Sequence, residues 1–207
     1  MALGVYVHVP FCSSRCGYCD FNTYTATELG DSVRRDTFHE VLADEVRLAA
    51  RTLGPGHGPV DTVFVGGGTP TLLGSSGLTF VLDAIRAELG LADGAEVTTE
   101  ANPDSVDEAM LAELRSGGFT RISFGMQSTS PAVLRILERT HTPGASLEAA
   151  RAATRAGFDH VNLDLIYGTP RESDEDLRRS VVEALEAGVD HVSAYAVIVE
   201  DGTALAR

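Results

Sequence analysis

The segment Val60–Gly90 reads VDTVFVGGGTPTLLGSSGLTFVLDAIRAELG. Its opening, Val60–Val65, is a short run of β-branched and aromatic residues, the composition of a strand. Three glycines, Thr69 and Pro70 follow, the composition of a loop. From Gly77 to Leu89 apolar residues recur at helical spacing, and Gly90 supplies the stop. Strand, loop and helix in that order make one βα unit. A succession of such units makes a parallel sheet covered by helices.

The same unit recurs in both directions along the chain. Upstream, Leu3–Val9 reads as the first strand and Asp31–Leu53 as a helix closed by Gly54; 54–59 (GPGHGP) is a loop by composition. Downstream, Ala95–Thr99 is a third strand. Ser105–Ser116 is a helix with Ser105 as N-cap and Glu108 as its capping-box partner. Thr120–Phe124 is a fourth strand, followed by helical segments at Pro131–Leu137 and Ala145–Ala156. His160–Ile166 is a fifth strand, Asp174–Ala187 a helix stopped by Gly188, and His191–Val199 a sixth strand. This α/β succession fits two architectures, an open doubly wound sheet and a partial (β/α)6 barrel. No linker rich in Pro or Ser interrupts it, so 1–207 reads as one domain. The sequence stops soon after the sixth strand, where another covering helix is expected. The expectation is therefore a domain truncated there, or the front part of a longer protein.

The chain has 207 residues, with 16 basic and 30 acidic side chains and a net charge of −14. Every basic residue among the Lys and Arg is Arg. Such acidity argues against nucleic acid and against anionic membrane surfaces as partners, since both select clustered positive charge. No run approaches the roughly 18 apolar residues of a membrane span. The N-terminus lacks a basic stretch followed by an apolar one, so no secretory signal is expected and a cytoplasmic location is.

The unusual residues gather after the strands, where parallel α/β folds place their chemistry. Cys12, Cys16 and Cys19 follow the first strand. Their number and tight spacing suit a metal or redox site better than a disulfide framework. Three thiolates can hold a cubane iron–sulfur cluster and leave one iron open to a ligand that is not protein. They can also make a structural zinc site with His8 as fourth ligand. His8 by itself reads as a hydrogen-bonded core histidine. After the second strand, the 66–68 glycines let backbone approach a ligand closely and free amide N–H groups to bind it. A tight turn without a ligand is the plainer reading. Glu100 and Asp164, at strand ends, suit an amino group or ribose hydroxyls, or are simply capped or ion-paired carboxylates. Arg139 and Arg121 have the guanidinium fork that grips a carboxylate, although either alone reads as a solvated helix-face or surface residue.

Tyr6–Phe21 (YVHVPFCSSRCGYCDF) resembles the radical S-adenosylmethionine (SAM) enzymes. Within them it is similar to the branch of the oxygen-independent coproporphyrinogen III oxidases and the heme chaperones related to them. The resemblance continues through 66–71 (GGGTPT), 100–103 (EANP), 123–128 (SFGMQS) and 162–170 (NLDLIYGTP), and so covers almost the whole chain. It implies a partial (β/α)6 barrel with a [4Fe–4S] cluster held by Cys12, Cys16 and Cys19. SAM would chelate the open iron through its amino and carboxylate groups, and electron transfer would cleave it to methionine and a 5′-deoxyadenosyl radical. The positions that match SAM-lining residues are Tyr6, Tyr18, Gly67, Gly68, Thr69, Glu100, Gln127, Arg139, Asp164 and Ile198. Arg139 matches by its spacing from Gln127, and Ile198 by its spacing from Asp164. The oxidases carry one more cysteine two positions after the third and a long extension before the Tyr-x-His segment. Phe21 stands at the former position, and five residues precede Tyr6. Both features imply a heme chaperone, with heme or a porphyrin as cargo, an electron-donor protein, and respiratory proteins at a membrane as recipients. The alternatives are an oxidase that decarboxylates coproporphyrinogen III to protoporphyrinogen IX and, from a different class, a zinc-stabilised binding module. The heme-binding histidine motif of the chaperones lies beyond the segment matched here.

Overall fold

The computed structural model describes residues 2–25, 28 and 34–207. Six strands, β1 (Leu3–Val9), β2 (Val60–Gly67), β3 (Leu91–Ala101), β4 (Arg121–Gln127), β5 (His160–Tyr167) and β6 (His191–Ala196), form one sheet. Their spatial order is the chain order, β1-β2-β3-β4-β5-β6, and every adjacent pair is parallel. A doubly wound sheet reverses direction at a switch point. This sheet never does, so it curls one way into a partial barrel with β1 and β6 as its unpaired edges. The partial barrel, of the two architectures compatible with the sequence, is the one formed.

The helices are α1 (Phe38–Leu53), α2 (Gly74–Glu88), α3 (Glu108–Gly117), α4 (Pro131–Ile136), α5 (Ala145–Arg155) and α6 (Asp174–Glu186). Alternation along each strand decides which face they cover. On β4, Ile122, Phe124 and Met126 are fully buried on the convex side, while Arg121, Ser123 and Gly125 face the concave side. Leu163 and Leu165 of β5 repeat the pattern and pack in one core with Leu78, Leu82 and Ile85 of α2 and Leu111 and Leu114 of α3. A fully buried Leu or Ile contributes roughly 1.5–3 kcal/mol, so this convex layer carries the fold and the concave face is left to polar chemistry. On α5, Ala149, Ala150, Ala152 and Ala153 are buried, small enough to bring that helix close to β4 and β5.

Several boundaries differ from expectation. β2 runs on through Gly66 and Gly67, β3 through Glu100, and β4 through Gly125 and Gln127, so these residues end strands rather than follow them. Ser105 does not cap the third helix. Its Oγ donates to Asn102 O (2.6 Å) and meets Thr71 Oγ1, while Asp107 Oδ1 accepts from Met110 N (2.8 Å) and is the N-cap of α3. Pro103 explains the displacement, since it starts a separate 3-10 turn over Pro103–Ser105. The helix expected from Asp31 is α-helical from Phe38, preceded by a 3-10 turn at Arg35–Thr37. Residues 31–33 lie outside the described ones. No helix among the described residues is long and apolar enough to cross a membrane.

Candidate functional site

The cysteine loop is built on backbone bonds to its neighbours. Tyr24 N donates to Pro10 O (2.7 Å) and Cys12 N to Tyr24 O (2.9 Å), closing the loop at its base. Gly17 N donates to Leu137 O (2.9 Å), which ties its middle to the end of α4. The glycine loop docks on its other side. Gly68 N donates to Val9 O (2.8 Å), Thr69 N to Phe11 O (2.7 Å), and Gly67 N to Glu100 Oε2 (3.0 Å). The expectation that these amides are free for a ligand therefore does not hold, because the chain consumes them itself. The glycines are needed for close approach instead. Gly67 has φ +115°, and a Cβ on Gly68 would press on the carbonyl of Phe11 and lie 2.9 Å from Cys12 Sγ.

A cavity of about 410 Å³ opens between these loops and the strand ends, within the range of small-molecule sites. Its lining brings together Cys12, Cys16, Tyr18, Cys19, Gly67, Gly68, Thr69, Glu100, Gln127, Arg139, Asp164 and Ile198. Tyr6 is not in that lining. It stands lower on β1, where its ring stacks on Phe64 and its Oη donates to His8 Nδ1 (2.9 Å). Gln127 has φ +60° in the left-handed region, rare outside glycine, and is 7% exposed. Its Oε1 is buried without a hydrogen-bond partner. A strained residue that lines a cavity and carries an orphaned acceptor is the mark of a ligand site.

Charge in the cavity is arranged around that space. Burial raises the Glu100 carboxyl to about 7, opposed by the Gly67 N–H and assisted by Asp164. Burial also raises Asp164, although Ser123 and Asn162 hold its carboxylate (Ser123 Oγ to Oδ2 2.9 Å; Asn162 Nδ2 to Oδ1 2.8 Å). Arg121 pulls Asp164 down from a distance, but neither carboxyl is in an ion pair among the described residues, and both would gain from an ammonium. Arg139 is the complementary group. Burial works against its charge, but Cys16 and Tyr18 hold its pKa above the ordinary value. It donates from Nη1 to Cys16 Sγ (3.3 Å), from Nη2 to Gly125 O (3.1 Å) and from Nε to His141 Nδ1 (3.2 Å). No carboxylate pairs with it among the described residues. A half-buried guanidinium without a carboxylate partner is poised for thiolates and for an incoming carboxylate. Burial, with neighbouring sulfurs adding to it, pushes the Cys12 and Cys19 thiols up, so metal loading would release protons.

The donor set fits an iron–sulfur cluster better than a zinc ion. His8, the candidate fourth zinc ligand, has both ring nitrogens engaged, Nδ1 by Tyr6 and Nε2 by Asn22 O (2.9 Å). Among the described residues, no three His, Cys, Asp or Glu side chains converge closely enough to hold one metal ion. Sequence reasoning missed His141, 5% exposed, whose position two residues after Arg139 is its only local signal. It also missed Ser123 and Asn162. Strand alternation could have found them, since each lies two residues before a concave-facing site residue.

Comparison with known proteins gives a consistent picture. The radical SAM superfamily model matches residues 6–184. The chain is 57% identical over 204 residues to the heme chaperone HemW of Mycobacterium tuberculosis, covering 99% of this chain and 52% of that one. It is 37% identical over 201 residues to the heme chaperone HemW of Escherichia coli, covering 97% and 52%. The solved coproporphyrinogen III oxidase of Escherichia coli superposes with a TM-score of 0.81 at 27% identity, covering 95% of this chain and 44% of that one. The chain spans about half the length of the curated relatives it matches.

Proposed function

We propose, on the premise that the chain belongs to the radical SAM superfamily, that it is the cluster- and SAM-binding part of a heme chaperone. Cys12, Cys16 and Cys19 would hold three irons of a [4Fe–4S] cluster and leave the fourth to SAM. The chemistry such a cluster supplies when bound is one-electron reduction of SAM. The chain's own residues do the binding and orienting. Arg139 receives the SAM carboxylate, Glu100 and Asp164 the ammonium and hydroxyl donors, and the orphaned Gln127 carbonyl a further N–H or O–H. Tyr18, Gly67, Gly68, Thr69 and Ile198 shape the walls around it, and Tyr6 flanks it from below. The observation that carries this reading is the convergence of three thiols, a half-buried Arg139 without a carboxylate partner and an orphaned Gln127 acceptor on one cavity.

Heme as cargo draws on the relatives named heme chaperones, and respiratory proteins as its recipients are what the sequence resemblance implies. A cytoplasmic location fits that reading. The oxidase alternative draws on the likeness to coproporphyrinogen III oxidase. Against it, Phe21 stands on the cavity rim where the oxidases carry a further cysteine. Anaerobic reconstitution with iron and sulfide should give a brown protein, and Cys16→Ser should abolish its broad visible absorption. Stoichiometric zinc without sulfide, or absorption unchanged in Cys16→Ser, would overturn the cluster reading. Conversion of coproporphyrinogen III to a vinyl product would select the oxidase instead.

A further inference from the structure

His141 is a buried titratable residue that the function above leaves without a role. It is 5% exposed and stands two residues after Arg139. This short segment is pinned on both sides. Arg139 N donates to Leu134 O (2.9 Å) in α4, and Thr142 N donates to Asp104 Oδ2 (2.9 Å) in the turn after β3. Between those anchors the half-buried guanidinium of Arg139 lies in a slot with three walls. Its Nε donates to His141 Nδ1 (3.2 Å), its Nη2 to Gly125 O (3.1 Å) and its Nη1 to Cys16 Sγ (3.3 Å). Arg can only donate, so Nδ1 of His141 accepts and the ring proton sits on Nε2. Burial first, and then the charge of Arg139, lower the His141 pKa to about 4, which keeps that nitrogen free to accept at neutral pH. On the strand side only glycine fits, because a Cβ on Gly125 would lie 2.6 Å from Arg139 Nη2. Of the three thiols, Cys16 alone meets a guanidinium among the described residues.

We infer that His141 is a positioning residue for the redox centre: it holds the Arg139 guanidinium on the Cys16 thiolate and thereby raises the reduction potential of the cluster. This rests on the cluster reading of Cys12, Cys16 and Cys19 proposed above. A reduced cluster carries one more negative charge than an oxidised one. A cation and an N–H···S bond at one of its thiolates therefore stabilise the reduced state more, and hydrogen bonds to the sulfurs are among the controls of cluster potential. The electron comes from an external one-electron reductant, and no proton needs to move. The guanidinium acts in this way only while its plane is held toward the sulfur. An arginine side chain has many rotamers, and the bond to Nδ1 is what selects this one. His141, Gly125 and Cys16 engage three of the five guanidinium N–H groups. One N–H on each of Nη1 and Nη2 stays for the SAM carboxylate, so the slot serves thiolate and cofactor together.

The test is a mediated dithionite titration of the reconstituted protein without SAM, following the visible absorption and the EPR signal of the cluster. Arg139→Gln should lower the reduced-to-oxidised ratio at a fixed solution potential about tenfold, the effect of one charge-assisted contact, or about 59 mV for one electron. His141→Phe should shift it the same way by a smaller amount. His141→Asn, whose amide oxygen can accept from Nε, should recover part of that shift. Added to Arg139→Gln, His141→Phe should change nothing more, because its effect runs through the guanidinium. Gly125→Ala displaces the same guanidinium from the strand side; it should lower the ratio too, and serves if His141→Phe fails to fold. A native potential in cluster-loaded His141→Phe and Gly125→Ala, or a His141→Phe shift that persists in full beside Arg139→Gln, would overturn this inference and leave the cluster reading standing. A native chain that takes up no iron and sulfide would overturn the cluster reading and this inference with it.

Discussion

Replacing Glu100 by Gln should make the apo protein more stable, and increasingly so as pH rises. Burial, with Asp164 nearby, raises this carboxyl from 4.5 to about 7. Between those values the folded chain keeps a proton that the unfolded chain has released. Stability from this group is therefore complete below about pH 4.5 and is lost as pH rises to about 7. The gap, from 4.5 to about 7, is worth on the order of 3 kcal/mol at about 1.4 kcal/mol per pH unit. Gln never ionises, and its carbonyl can still accept from Gly67 N, which now donates to Glu100 Oε2. Other titrating groups are common to both proteins and cancel in the comparison. Urea unfolding of the ligand-free proteins should thus favour Glu100→Gln by about 3 kcal/mol at pH 8 and by only about 1 kcal/mol at pH 5.5. In a chain of this size the larger figure is roughly 5–10 °C in Tm. The same variant should bind SAM more weakly, because a stored charge has been exchanged for stability. An advantage that is absent, or equal at the two pH values, would refute the claim that Glu100 is held against its burial to receive a cation.

Two further outcomes test the scaffold around the cavity. Gly68→Ala should displace the cysteine loop, because the new methyl would meet Phe11 O and Cys12 Sγ; cluster content after reconstitution should fall sharply while the far-UV spectrum of the sheet persists, and full cluster loading would show that the close approach is not required. His141→Phe should cost about 1 kcal/mol in urea unfolding of the apo protein at pH 7, since it leaves the half-buried Nε–H of Arg139 without its acceptor. His141→Asn, which can offer an oxygen there, should recover part of that loss, and a Phe variant as stable as the native chain would remove His141 from the support of Arg139.

Much of the architecture was legible because it is written locally. Apolar runs of period two and 3.6, glycine stops after Leu53, Leu89 and Ala187, and the Cys12–Cys19 spacing are properties of neighbouring residues. Element ends were less legible. The 66–67 glycines read as a loop, yet the ladder from β1 extends over them because His8 and Val9 supply partners from across the chain. The Ser105 cap failed because Pro103 and Asn102 offered a competing turn.

The sequence by itself determined six alternating βα units, a concentration of thiols, glycines and carboxylates at their junctions, and a surface unsuited to polyanions. All follow from local pattern and composition. The tertiary structure decided what no local pattern contains. It set the strand order, which made a partial barrel of units that could equally have wound both ways. It spent the 67–69 amides on the chain's own carbonyls and on Glu100. It also separated two arginines that looked alike in the sequence. Arg139 is drawn into the cavity against Cys16, Gly125 and His141, whereas Arg121 stays two residues below Ser123, where it donates to His191 and acts on Asp164 from a distance. The physical reason is that a strand's period fixes which face a residue takes, while its neighbours on that face come from other strands.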